Sequence, residues 1–282
     1  MISRRKFIGN SALAALSMFV VKDEIFALNA WRKLKNIGFI SGIVGKELKE
    51  DWKPVLKQAV EFGFTEMETG GFLGDSAQSF NAFCKEIGIN VFAGGIGFTD
   101  KADDLKKQLD KINELGVKYA VTYWPWLTGG PFTPEDCKKS AEMLNKMGEI
   151  CKTNKLQLCW HNHNKEFIKM EEGLPFDYLM KNTDKELVKV EMDIYWAKKG
   201  GADPVKLLKD YKGRIKILHV KDMAPGEEQT FACPGSGIID FHPIFEEALN
   251  QGIKHYIVEQ DNVTDGLACL KSSAAYLKGL KF

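Results

Sequence analysis

The sequence predicts an eight-stranded parallel α/β barrel. Three observations lead there. Strand-like and helix-like segments alternate from residue 37 to the C-terminus, which implies parallel strands joined by helical crossovers. Eight strand patterns occur, and no glycine-rich fingerprint of a dinucleotide-binding open sheet accompanies them. Setting aside the first 30 of 282 residues leaves 252, close to the roughly 250 of a (β/α)8 barrel.

The elements follow in order. Strands are expected at 37–41, 64–68, 90–94, 119–123, 156–161, 188–193, 215–220 and 256–259. Helices are expected at about 47–62, 76–87, 101–115, 134–153, 174–182, 203–210, 241–250 and 264–279. Gly63, Gly88, Gly116 and Gly252 stand close before strands, where glycine commonly closes a helix. Thr133-Pro134-Glu135 opens the fourth helix with a cap residue and a proline at the first helical position. No linker breaks the pattern, so residues 31–282 read as one catalytic barrel domain.

With 44% hydrophobic and 27% charged residues and a net charge of +1, the chain has ample core material and an ordinary charge balance. No basic patch stands out, which argues against a nucleic-acid partner. Residues 1–30 read as an export signal. Ser3-Arg4-Arg5-Lys6-Phe7-Ile8 is a twin-arginine pattern, and the weakly apolar stretch Phe7 to Val21 follows it. That stretch is shorter than the roughly 20 apolar residues of a membrane-spanning helix. The expectation is a periplasmic protein, cleaved near Ala27 or Ala30, with no stable membrane insertion afterwards. The alternative is an amphipathic first helix. The six cysteines (84, 137, 151, 159, 233, 269) form no Cys-x-x-Cys pair and do not suggest a disulfide framework. Most read as buried thiols, with some pairing open in an oxidising compartment.

Four metal-type ligands each end a strand pattern: His161, Asp193, His219 and Glu259, which lie 32, 26 and 40 residues apart. One ligand per strand end is how a parallel barrel assembles its site. Strand alternation places them on one side. Val188, Val190 and Met192 form an apolar outer face, so Glu191 and Asp193 point inward. His219 and Lys221 point inward from strand seven, and Glu66 and Glu68 share a face in strand two. Strand-end hydrogen bonding accounts for any one of these residues alone, but hardly for four together. Two imidazoles and two carboxylates suit Mn²⁺, Zn²⁺, Co²⁺ or Fe²⁺ better than Mg²⁺ or Ca²⁺.

The runs Trp160-His-Asn-His163-Asn-Lys-Glu-Phe167, Met192-Asp193-Ile-Tyr-Trp196, His219-Val-Lys-Asp222, Gly235-Ser-Gly237 and Val258-Glu259-Gln-Asp261 resemble the xylose-isomerase-like TIM barrel family, often labelled sugar phosphate isomerase/epimerase. The resemblance covers nearly all of the chain after residue 30. It implies that Asp193, His219 and Glu259 bind one divalent metal. The family usually supplies a glutamate at the end of strand five, paired with the strand-eight glutamate in proton transfer. This chain has His161 there, and lacks the arginine that some epimerases carry after the metal histidine.

A divalent ion at a barrel mouth stabilises the enediolate formed when a proton leaves the carbon beside a carbonyl. His163, Glu259 and Lys221 are the expected catalytic residues. His163 is the candidate base, or else a hydrogen-bonding neighbour of the site. Lys221 binds hydroxyls, neutralises the enediolate or acts as a base. Glu68, Trp124 and Trp196 are expected to contact substrate, with Tyr123 and Trp126 as further wall; Glu68 is also a candidate base or an orienting neighbour. Gly235-Ser236-Gly237 lies where barrels often bind phosphate, but reads better as a plain turn.

The leading expectation is a metal-dependent carbohydrate isomerase or epimerase acting through an enediolate on a small-molecule sugar or keto-sugar. Export counts against a phosphorylated sugar, and His161 makes a lyase acting on a 3-keto-glycoside a serious alternative. A non-catalytic periplasmic sugar-binding protein and an endonuclease-IV-like phosphodiesterase are the remaining readings. The second would need a richer metal cluster and a basic face.

Overall fold

A computed structural model describes residues 32–125 and 127–282. Eight parallel strands close into a barrel: β1 (Gly38–Ile40), β2 (Glu66–Thr69), β3 (Asn90–Ile96), β4 (Tyr119–Thr122), β5 (Gln157–His161), β6 (Val188–Asp193), β7 (Ile215–Val220) and, last in the chain, β10 (His255–Val258), which pairs with both β7 and β1. Two-residue strands β8 (Asp222–Met223) and β9 (Phe231–Ala232) form a small antiparallel pair between β7 and β10. Residues 1–30, read above as an export signal, and Trp126 lie outside the described residues. No helix of the described residues is long and apolar enough to cross a membrane. The barrel lies within the unit Leu34–Leu280; in the other unit Arg32 and Phe282 exchange backbone hydrogen bonds of 2.7 and 2.9 Å.

Local chemistry sets the connecting helices. Thr133 caps the helix Pro134–Thr153 by accepting from the N–H of Asp136, whose carboxylate accepts in turn from the Thr133 N–H, both at 3.1 Å. Gly63 ends the helix Gly45–Phe62 at φ +105°, a conformation that a β-carbon disfavours. Two features were not expected. The helix Ile194–Lys199 is too short to show a periodic pattern, and starts because Asp193 Oδ1 accepts from the Trp196 N–H at 2.7 Å. The β8–β9 strands are likewise too short to alternate visibly. Cys233 and Cys269 form a disulfide, while Cys84, Cys137, Cys151 and Cys159 are buried thiols.

The barrel interior is layered. At the bottom His255 Nδ1 meets Glu66 at 2.9 Å, and its ring stacks on Phe92 at 4.5 Å. An apolar plug that includes Val121, Cys159, Ile217 and Ile257 lies above. The candidate site rests on this plug.

Candidate active site and metal centre

Strand register decides which side chains meet. His161 on β5 is level with Glu191 on β6, Asp193 with His219 on β7, and His219 with Ile257 on β10. Glu259 follows β10 directly, and its N–H donates to the Val220 carbonyl at 3.1 Å. His161, Asp193, His219 and Glu259 therefore converge, with one ligand atom from each lying within 4.8 Å of all the others. Nε2 of His161 is 3.8 Å from Asp193 Oδ2, and Nδ1 of His219 is 2.8 Å from Glu259 Oε2. Asn162 braces the cluster: its amide donates to the Asp193 carbonyl at 3.3 Å and accepts from the Asp193 N–H at 3.1 Å.

Lys221 enters between the carboxylates. Its Nζ lies 3.2 Å from Asp193, 3.0 Å from Glu259 and 2.8 Å from Asp261. Only 1% of this residue is exposed. Tyr195, Trp196 and Phe231 surround the ammonium at 5.2–5.8 Å from their ring centres. Burial opposes its charge, but Asp193, Glu259 and Asp261 outweigh burial and hold its pKa above the ordinary lysine value. These three carboxylates favour the charged form of Lys221.

Of its three expected roles, Glu68 has the contacts of an orienting neighbour. It is fully buried, with one oxygen bonded to the Tyr123 hydroxyl and the other 3.1 Å from His219 Nε2. Strand parity turned it inward, and it does not line the open cavity. The other expected contact residues face open space. Trp124 is 55% exposed and stacks on His163 at 4.0 Å; Trp196 lies 5.3 Å from the same imidazole. With Tyr123 and Phe231 they wall a cavity of about 480 Å³, which His161, Lys221 and Glu259 also line. The His163 N–H donates to buried Glu166 at 3.1 Å. Burial, with Lys221 adding to it, brings the His163 pKa down to about 3, so the ring is neutral at pH 7.

The Gly235–Gly237 loop is a turn built around Asp222. Oδ2 of Asp222 accepts from the N–H groups of Gly235 at 3.0 Å and Gly237 at 2.9 Å, and Oδ1 accepts from Met223 and Ile239. A β-carbon on Gly237 would lie 2.3 Å from the Met223 carbonyl. The amides that an anion would seek already hold the protein's own carboxylate.

The residues fit a divalent cation. Glu191 Oε2 is buried without a hydrogen-bond partner, and Asp193 Oδ2 makes no hydrogen bond, its neighbour being the Lys221 ammonium at 3.2 Å. Burial, with Glu68 adding to it, raises Glu191 well above the usual carboxylate range, and burial raises Asp193 to about 7. Two imidazole nitrogens and two carboxylate oxygens make a mixed donor set suited to a transition metal. Sequence reasoning saw Glu191 turn inward but gave it no role. It passed over Asp261 and Phe231, which lie beyond the barrel strands that carried the pattern.

The fold has known counterparts. An inosose dehydratase of Clostridium perfringens is 31% identical over 255 residues, covering 79% of each chain. A crystal structure of a sugar phosphate isomerase/epimerase from Parabacteroides distasonis superposes with a TM-score of 0.74 at 27% identity, over 88% of this chain and 94% of that one. The IOLI protein, solved with a bound zinc atom, shares the fold at a TM-score of 0.69 and 16% identity, over 86% and 96%. The family model for the xylose isomerase-like TIM barrel matches residues 56–282, and this chain belongs to that family.

Proposed function

We propose that this protein is a divalent-metal-dependent enzyme of the lyase or dehydratase type, acting on a keto sugar, keto-polyol or 3-keto-glycoside. The observation that carries the reading is the convergence of His161, Asp193, His219 and Glu259 on the floor of an aromatic-walled cavity. These four residues would hold the ion. When bound, it supplies positive charge to a substrate carbonyl oxygen.

The chain's own residues then divide the work. His163, at the open side of the floor, takes the proton from the carbon next to the carbonyl. The C–H electron pair moves onto the carbonyl oxygen, where the Lys221 ammonium balances the charge. Return of that pair as a carbon–carbon double bond expels the β-oxygen substituent, which leaves as water or as an alcohol by taking the proton that His163 removed, so the imidazole ends neutral. Trp124 and Trp196 hold the sugar face.

Two observations favour elimination over epimerisation. A two-base inversion needs acceptors on both faces of the substrate. The carboxylates here lie on the floor, with Glu259 engaged by His219 and Lys221. The dehydratase of Clostridium perfringens points the same way. Isomerisation or epimerisation is the second reading, favoured by the Parabacteroides distasonis structure, and shares the first proton removal. The substrate is unphosphorylated in this proposal, because Asp222 fills the turn where a phosphate would sit. An exported location is part of it, and the Cys233–Cys269 disulfide supports that location.

The test is a panel of keto-glycosides, keto-inositols and ketoses incubated in D₂O with the metal-loaded protein. Loss of water or aglycone, with an unsaturated ketone formed, is the expected result. Deuterium exchange without elimination would move the assignment to the isomerase or epimerase reading. No exchange and no elimination with any member, at full metal occupancy, would overturn the enzyme reading for this substrate class.

A further inference from the structure

Glu191 is a fully buried carboxylate that touches no open space. Its register neighbours are His161 on β5 and apolar Ile217 on β7. Its Oε1 lies 2.9 Å from His161 Nδ1 and 3.0 Å from His219 Nε2. Glu68 offers a second acceptor to the same His219 nitrogen. Both rings thus turn one nitrogen down toward buried carboxylates and the other up toward Asp193 and Glu259.

We infer that Glu191 is the positioning residue of His161: it accepts the Nδ1–H, fixes that tautomer, and leaves the Nε2 lone pair facing the ligand cluster. The inference rests on the metal reading above, but its geometry exists without the metal. A neutral imidazole carries one N–H, and which nitrogen carries it follows from the bond the other partner makes. Nδ1 of His161 lies 2.9 Å from Glu191 Oε1, while Nε2 is on the side of Asp193, so the Nδ1–H is the donor that this geometry pairs with Glu191. A ligand histidine whose outer N–H meets a carboxylate is held in one orientation and made more basic at the metal-facing nitrogen. An isolated carboxylate in the barrel interior is costly, and an apolar side chain beside Ile217 and above the plug would avoid that cost. The acid is explained by its partner. A glutamate at 161 would bind the ion without any N–H to satisfy, whereas a histidine there requires an acceptor beneath it. His161 and Glu191 form one unit.

The test is a double-mutant cycle on metal affinity, using E191L, H161E and H161E/E191L with the wild type. Zn²⁺ or Co²⁺ affinity is measured by competition with a chromogenic chelator. E191L should weaken binding about 10–100-fold in the wild-type background, and by no more than about threefold in the H161E background. E191Q, which keeps an acceptor oxygen, should recover much of the loss. Equal losses in both backgrounds would mean that Glu191 acts as bulk negative charge, and would overturn the inference. A second readout needs no metal: long-range ¹H–¹⁵N spectra of the histidine rings. The apo wild type and E191Q should show His161 with its proton on Nδ1, and E191L should lose that preference. A proton on Nε2 in the wild type would overturn the inference as well. If the wild type binds no metal while the Nδ1–H tautomer is present and depends on Glu191, the metal reading fails and the positioning role stands.

Discussion

The disulfide gives the most direct quantitative test of the structure. Cys233 and Cys269 are 36 residues apart in sequence, and their α-carbons are 5.6 Å apart. The cross-link ties the loop after β9 to the helix Gly266–Gly279, against which the same loop already packs: a β-carbon on Gly235 would lie 2.4 Å from the Tyr276 ring. Closing a 36-residue loop in the unfolded chain removes about 13 cal/mol/K of entropy, or about 4 kcal/mol at 25 °C. For a domain of this size each kcal/mol moves Tm by roughly 2–4 °C, so losing the bond should lower Tm by about 8–15 °C. The assay is thermal unfolding followed by circular dichroism, for the oxidised protein, the reduced protein and C233S/C269S. Phe231, two residues before the bridge, lines the cavity, so KM should rise on reduction before kcat falls. A thiol count on the denatured, unreduced protein should find four of the six cysteines free. Six free thiols in protein recovered from an oxidising compartment, or a Tm change under about 3 °C, would refute the reasoning.

Three further outcomes follow from the site. Asp193→Asn and His219→Ala should each abolish metal retention, read by elemental analysis, together with turnover, because each removes a ligand atom from the four-residue cluster. His163→Ala should keep the metal and lose about 10²–10⁴-fold in rate if it is the general base; unchanged turnover would remove it from that role. Glu166→Gln should change how stability depends on pH. Burial, opposed by the N–H groups it accepts, raises Glu166 to about 8, above its unfolded value of about 4.5. Such a group binds its proton more tightly when folded, so it costs stability progressively as pH rises from about 4.5 to about 8. The Tm advantage of Glu166→Gln over wild type should therefore grow across that window, by the equivalent of a few kcal/mol at the upper end; a constant difference would show that Glu166 does not titrate there.

The sequence carried the barrel because its strand and helix periods differ so sharply, and because strand alternation has a strict period of two. That period alone turned His161, Asp193, His219 and Glu259 toward one space. It says nothing about depth. Depth depends on the stagger between neighbouring strands, which only the closed barrel fixes. Alternation therefore left Glu68 open as substrate ligand, base or orienting neighbour, and the closed barrel makes it a buried partner of His219. Glu191 and His161 became neighbours only through the β5–β6 register. Lys221 was placed correctly in position, but its state came from three surrounding carboxylates on two other strand ends. Asp222 shows the opposite limit. Its motif resembled the family's, while its work is to hold a turn by four backbone N–H bonds that no spacing in the sequence displays.

The exchange of glutamate for histidine at 161 has an electrostatic consequence for the proposed reaction. With Asp193 and Glu259 as the only anions among the four candidate ligands, a divalent ion and its ligands would sum to zero charge. A glutamate at 161 would make that sum −1. The less anionic set leaves more positive charge available to a substrate oxygen, and Lys221 adds to it from the same side. Carboxyl groups remain one layer deeper, at Glu191 and Glu68, where they brace the two imidazoles without lining the cavity. A neutral ligand at 161 and a cation beside the ligands together turn the open face of the cavity electrophilic. That suits removal of a proton beside a carbonyl followed by loss of an oxygen substituent, in which negative charge builds on one side of the substrate only.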